Sequence, residues 1–122
     1  MKLEKFFKIC SNETNIRLII HLYSCDKNEC NVQTFVELLN KKQANISKHF
    51  MELRRLKIVD YVRNGHEIFY KLNDNFRTKF NSYLSLIVQD HCYDKFTCAC
   101  AVLEIHATKN DENCVHECCD DE

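Results

Sequence analysis

Ile58-Val59-Asp60-Tyr61-Val62-Arg63-Asn64-Gly65-His66-Glu67-Ile68-Phe69-Tyr70-Lys71-Leu72 is the stretch that decides the fold. Two runs rich in β-branched and aromatic residues, a composition suited to strands, flank Asn64-Gly65. A type I′ hairpin turn needs positive φ at both central positions, and Asn-Gly meets that need at low steric cost. The chain has one glycine and no proline. Its single residue without a Cβ therefore stands at the tip that requires it. The stretch is read as a β-hairpin, with strands over 58–63 and 66–72.

Upstream of the hairpin the apolar period is helical. Ile46, Phe50, Leu53 and Leu56 share one side of a helix over 43–57. A shorter helix over 32–40 carries Val32, Phe35, Val36 and Leu39, and Lys41-Lys42 join the two. Ile16, Ile19, Ile20 and Tyr23 stripe an earlier helix that Ser11 or Asn12 can cap, and Leu3, Phe6, Phe7 and Cys10 stripe the first. Downstream, Phe76, Phe80, Tyr83, Leu84, Ile87 and His91 make a long helical seam. Two short helices, a basic helix and a hairpin compose a winged helix-turn-helix. The fold class is mainly α with a two-stranded β-hairpin wing. Residues 1–91 form the folded domain, and 92–122 a cysteine-rich extension whose end, after Lys109, is expected to be mobile.

Charge agrees with a nucleic-acid partner for the front of the chain. Residues 1–72 carry 13 Lys and Arg against 8 Asp and Glu, whereas residues 73–122 carry 4 against 10. Between Lys41 and Lys57 six cations face one acid, Glu52. With the apolar stripe turned inward, Lys42, Gln43, Asn45, Ser47, Lys48 and His49 lie on or near the outer face of the first turns. A recognition helix reads base edges from those positions; Asn and Gln pair with adenine, and Lys with guanine or phosphate. Arg54 and Arg55 are placed for backbone phosphates, which give affinity without sequence information. Arg63 and His66 decorate the hairpin, where a wing would touch flanking DNA. The partner expected is a double-stranded DNA operator.

Nine cysteines would suggest a disulfide scaffold in a secreted chain, but the first ten residues are broken by Lys2, Glu4, Lys5 and Lys8 and do not resemble a secretion signal. No apolar run approaches the roughly 20 residues of a membrane span. The chain is read as cytoplasmic, where thiols serve as metal ligands or redox sensors more than as bridges. Cys92, Cys98, Cys100, Cys114, His116, Cys118 and Cys119 gather toward the end. Thiolates select soft ions, and Zn(II), Cd(II), Cu(I), Ni(II) and As(III) are the ions considered. Cys98 and Cys100 point about 200° apart on a helix and cannot share an ion there; Cys114 and Cys118, at i and i+4, can. A site joining Cys92, Cys98 or Cys100 to another segment, such as the partner's Cys10 or the partner's Cys30, would couple better to DNA affinity. Within the chain, Cys10, Cys25 and Cys30 are read as small buried apolar residues, and His21 as a packed or partly exposed histidine. No glycine-rich phosphate loop exists and the apolar surface is committed to a core and a seam, so an enzyme is not expected.

The run Gln43-Ala44-Asn45-Ile46-Ser47-Lys48-His49-Phe50, then Leu53-Arg54-Arg55-Leu56-Lys57-Ile58-Val59, then Gly65-His66-Glu67-Ile68-Phe69-Tyr70-Lys71-Leu72, resembles the ArsR (ArsR/SmtB) family of winged-helix repressors. Asn15-Ile16-Arg17-Leu18-Ile19-Ile20 is similar to that family's second helix, and the likeness spans residues 12–74. The resemblance implies a homodimer, joined through the first and last helices, that represses transcription until an inducer binds. It also implies two recurrent metal sites. Their positions fall on Asn31 and Gln33, and on Asp74, Phe76, Ile87 and Asp90, so neither donor set is intact here. The reading is a repressor released when a thiophilic metal or metalloid binds cysteine thiolates. Two alternatives stand beside it: a repressor of the same fold answering thiol oxidation or persulfide formation, and a winged-helix interaction module with a metal-buffering tail.

Overall fold

The structure, a computed structural model, describes residues 1–25 and 30–98. In chain order it runs α1 (Leu3–Cys10), α2 (Glu13–Ser24), β1 (Cys30–Asn31), α3 (Val32–Leu39), α4 (Gln43–Arg55), β2 (Val59–Asn64), β3 (Glu67–Leu72), α5 (Asp74–Lys79), α6 (Asn81–Val88) and a 3-10 turn (His91–Phe96). Asparagines start three of the helices. Asn12, Asn31 and Asn73 each accept a backbone N–H from three residues on, at 2.9, 3.0 and 3.1 Å, which satisfies a donor that the first turn leaves open.

The wing is held by a sheet of three strands, not two. β1 pairs antiparallel with β3, Cys30 opposite Tyr70 and Asn31 opposite Phe69, giving the order β1-β3-β2. Two residues are too short a run for alternation to show, and β1 is missed for that reason. The hairpin register also differs by one from the sequence reading. Asn64 pairs with Glu67, so Gly65 and His66 are the turn residues, and Gly65 alone takes positive φ, at 66°. Glycine at the first central position is the II′ pattern rather than I′. Lys57 is left-handed at φ 63°, its N–H donates to the Arg54 carbonyl at 2.9 Å, and the Ile58 N–H donates to the Leu53 carbonyl at 2.9 Å. This pair of bonds is a Schellman closure, and it consumes Ile58 as a helix-ending residue, so the strand starts at Val59.

One core serves the described residues. Phe6, Leu18, Ile19, Phe35, Ile46, Phe50, Leu53 and Ile58 are fully enclosed. Phe6 stacks on Phe80 with ring centroids 4.3 Å apart and planes 12° apart, which clamps α1 to α5 and α6. The long seam expected from Phe76 onward is broken at Phe80 into α5 and α6, and the chain after Gln89 tightens into the 3-10 turn. That turn does not leave the domain: Phe96, Thr97 and Cys98 are buried, and the Cys98 N–H donates to Ser24 Oγ at 2.8 Å. Among the described residues no helix is long and apolar enough to cross a membrane.

Candidate functional site

The α4 helix presents two faces as its period demands. Ile46, Phe50 and Leu53 are buried, while Lys42, Gln43, Asn45 and Lys48 are exposed and Ser47 is half-buried. The four exposed residues belong to the first turns, with amide and ammonium groups facing solvent. His49 is placed differently: its Nδ1 lies 2.8 Å from Asn15 Oδ1 on α2, so the ring braces the two helices. Burial, then the charges of Lys48 and Lys41, hold its pKa below the ordinary histidine value.

The two arginines at the end of α4 have partners on the protein. Arg54 lies over the Tyr61 ring at 3.9 Å, linking the helix to the wing. Arg55 donates from Nε to Glu52 at 3.1 Å, an exposed pair. Arg63 and His66 are exposed toward the hairpin tip. The wing turns away from the core along β2, where only Val59 is buried.

A second constellation lies in the interior. His21 of α2, Cys30 of β1 and Cys98 beyond the 3-10 turn bring one donor atom each within 4.8 Å of one another. His21 Nε2 is 3.1 Å from Cys30 Sγ, and Cys25 Sγ is 3.7 Å from Cys30 Sγ. Cys10, Cys25, Cys30 and Cys98 are all thiols in this structure, whereas Cys92 is held in a disulfide. A main-chain carbonyl only accepts, so the 3.0 Å contact of His21 Nδ1 with the Phe96 carbonyl assigns the ring proton to Nδ1. The Nε2 lone pair then points at the thiols. Burial pushes the Cys30 thiol up, helped by the neighbouring Cys25 and Cys98, and burial holds His21 down. Cys10, outside this group, is raised to about 11 by burial and is the packed, unreactive cysteine that the sequence suggests.

Of the sequence-derived ligand set, Cys98 joins the interior group, and Cys92 lies in the 3-10 turn. Cys100, Cys114, His116, Cys118 and Cys119 lie outside the described residues. The structure brings Cys98 to Cys30 of the same chain. Cys25 and Cys30 are buried, as read from the sequence, and His21, read as packed or partly exposed, is buried with them. One signal could have found them: Cys25 stands four residues after His21, just past the end of α2, with Cys30 five further on.

Comparison of the sequence with protein-family models and with curated proteins gives no match. The structure does match solved proteins. HlyU from Vibrio cholerae superposes with a TM-score of 0.58 at 22% identity, covering 73% of this chain and 100% of that one. The transcriptional repressor BigR from Xylella fastidiosa gives 0.57 at 24% identity, over 70% and 84% of the two chains. The cadmium metal-sensor CMTR from Mycobacterium tuberculosis gives 0.53 at 22%, over 71% and 84%. At these identities the likeness speaks to architecture, and the chain has the winged-helix fold that these proteins share.

Proposed function

We propose that this chain is a homodimeric transcriptional repressor of the ArsR type, which reads an operator with α4 and releases it when a thiophilic ion binds cysteine thiolates. The exposed amide and ammonium groups of Gln43, Asn45 and Lys48 on the first turns of α4, beside a hairpin wing, carry this reading. Those residue types suit base edges in a major groove, and that end of a recognition helix is where they are used. Lys42, Arg63 and His66 add positive or protonatable groups for flanking phosphates. Arg54 and Arg55 stay near the interface, their geometry set by Tyr61 and Glu52.

An exposed apolar patch supports the dimer. Leu3 and Phe7 on α1, and Tyr83 and Leu86 on α6, are all exposed, Leu86 to 68%. Phe7 and Tyr83 meet edge to face at 5.8 Å, so the two helices present one continuous surface. Large exposed apolar groups in a contiguous patch mark a contact with another chain. Two-fold pairing through α1 and α6 would set two copies of α4 at a fixed spacing, as a palindromic operator needs. The thiol content and the similarity to a cadmium sensor support a soft ion as inducer.

A mobility-shift assay on the DNA upstream of the chain's own gene tests the reading. The expected result is a retarded band, abolished by Asn45→Ala with Lys48→Ala and released by Cd(II) or Zn(II). Absence of DNA affinity even at low salt overturns the repressor and favours an interaction module.

A further inference from the structure

We propose that His21, Cys25, Cys30 and Cys98 form a closed four-ligand site for Zn(II) or a similarly thiophilic ion inside the folded domain, distinct from the cysteine-rich end. It does not depend on α4 reading DNA. Three features carry it: the spacing of the donors, the preset imidazole, and the way three separate segments converge.

Tetrahedral coordination with Zn–S of about 2.3 Å and Zn–N of about 2.0 Å places sulfurs about 3.8 Å from one another and about 3.5 Å from the nitrogen. Cys25 and Cys30 stand at 3.7 Å, already at that spacing. His21 Nε2 and Cys30 Sγ stand at 3.1 Å, and the His21–Cys30–Cys98 trio closes within 4.8 Å. Cys25 joins the trio through Cys30, the one donor it is shown to touch, and stands as the fourth ligand on that contact. His21 is oriented as metal-bound histidines are, its distal N–H donated to a carbonyl while the other nitrogen faces the ion. All four residues are at least nine-tenths buried, so the site has no open position for water or substrate and belongs to the structural class.

Binding balances as follows. The ion displaces one proton each from Cys25, Cys30 and Cys98 to solvent, and His21 contributes a lone pair while keeping its Nδ1 proton. Three thiolates and a dication leave one negative charge. Arg17 stands one turn before His21 on α2, its guanidinium 4.4 Å from the Phe96 ring centroid and paired with Glu13 at 3.2 Å. The ion would tie α2 to β1 and to the segment after Phe96. β1 pairs with the wing strand, and Asn31 beside Cys30 caps α3, so the site fixes the base of the wing.

Titration of the full chain with Co(II) and then Zn(II), in reducing buffer and without DNA, tests the site. One tight equivalent is expected, with the visible bands of tetrahedral Co(II) and a thiolate charge-transfer intensity of three sulfurs. A variant carrying Cys92→Ser, Cys100→Ser, Cys114→Ser, His116→Asn, Cys118→Ser and Cys119→Ser keeps that equivalent and its full intensity. Cys30→Ser loses the tetrahedral spectrum, and Cys25→Ser drops the intensity to two sulfurs. Loss of the tight equivalent in the six-residue variant overturns the proposal, whatever becomes of the folding of Cys30→Ser. So does an unchanged spectrum in a folded Cys30→Ser chain.

Discussion

Phe50 of α4 lies flat on Tyr70 of β3, ring centroids 4.0 Å apart and planes 7° apart. The same Phe50 meets Phe35 of α3 edge to face at 5.0 Å, and Phe35 meets His21 of α2 at 4.8 Å. One row of rings thus runs from α2 through the helix-turn-helix to the wing. Phe50 is fully buried, so Phe50→Ala loses both its transfer energy and the contacts around the cavity. The expected cost is about 3–5 kcal/mol, read as a lower denaturant midpoint with an unchanged slope. A cost under about 1 kcal/mol would show that the helix and wing are not held through this stack.

Lys57 ends α4 in a conformation that suits glycine. Its φ of 63° places a Cβ against the following carbonyl, at a cost of roughly 1–2 kcal/mol for an L-residue. Glycine adopts the same angle freely but loses more entropy on folding, which offsets part of the gain. Lys57→Gly is therefore expected to stabilise the chain by about 0.5–1 kcal/mol. Thermal or urea unfolding reads this directly, and a destabilised variant would mean that the lysine side chain contributes more than its backbone costs.

Most of this architecture is written in local patterns. The stripes of α1 to α4 are strong because each helix faces one core, and Gly65 marks its turn because glycine takes positive φ at the least steric cost. What escaped is what only tertiary structure decides. β1 is two residues long and exists because β3 offers it an edge. The first strand starts at Val59 because the Schellman closure at Lys57 claims Ile58, and the turn stands at Gly65-His66, one residue later than read. The break at Phe80 has no glycine or proline to announce it. On α4, periodicity separates Asn45 and Lys48 from the buried face, but cannot tell that His49 reaches Asn15. The interior thiols did not read as a group because Cys98 lies more than sixty residues from Cys30: Cys25 and Cys30 each read as a small apolar residue, and Cys98 as a ligand of the cysteine-rich end.

His49 makes stability depend on pH in a defined direction. Its folded-state pKa is lowered, by burial first and then by Lys48 and Lys41. The unfolded chain therefore takes the proton at a higher pH than the folded one. Stability from this residue is complete above the ordinary histidine value and is lost as pH falls from there through the lowered folded value. His49→Gln keeps a donor for Asn15 but cannot titrate. Its unfolding free energy is expected to fall less steeply than the parent's across that window; identical slopes would remove His49 as the cause.

The α1–α6 patch predicts a dimer that one charge can split. Leu86 is exposed to 68% beside the edge-to-face pair of Phe7 and Tyr83. A carboxylate desolvated at a two-fold interface is repeated on both protomers and costs several kcal/mol for the pair. Leu86→Glu should sediment as a monomer at concentrations where the parent is dimeric, with an unchanged helical spectrum. A parent chain that is monomeric at high micromolar concentration would discard the interface outright.

If the chain binds an operator as proposed, salt dependence separates the residues that hold DNA from those that read it. Each phosphate neutralised by a cation contributes about 0.9 to the slope of log affinity against log salt. Arg63 is exposed on the wing, so Arg63→Ala should lower that slope by about one per bound protomer while leaving the ranking of operator variants unchanged. Asn45 carries no charge, so Asn45→Ala should leave the slope intact and reduce discrimination at one base pair by about 1–3 kcal/mol. Fluorescence anisotropy over a salt series, on the operator and on single-base variants, measures both. If Asn45→Ala changes the slope and Arg63→Ala changes the sequence ranking, then α4 does not enter the groove with its first turns leading.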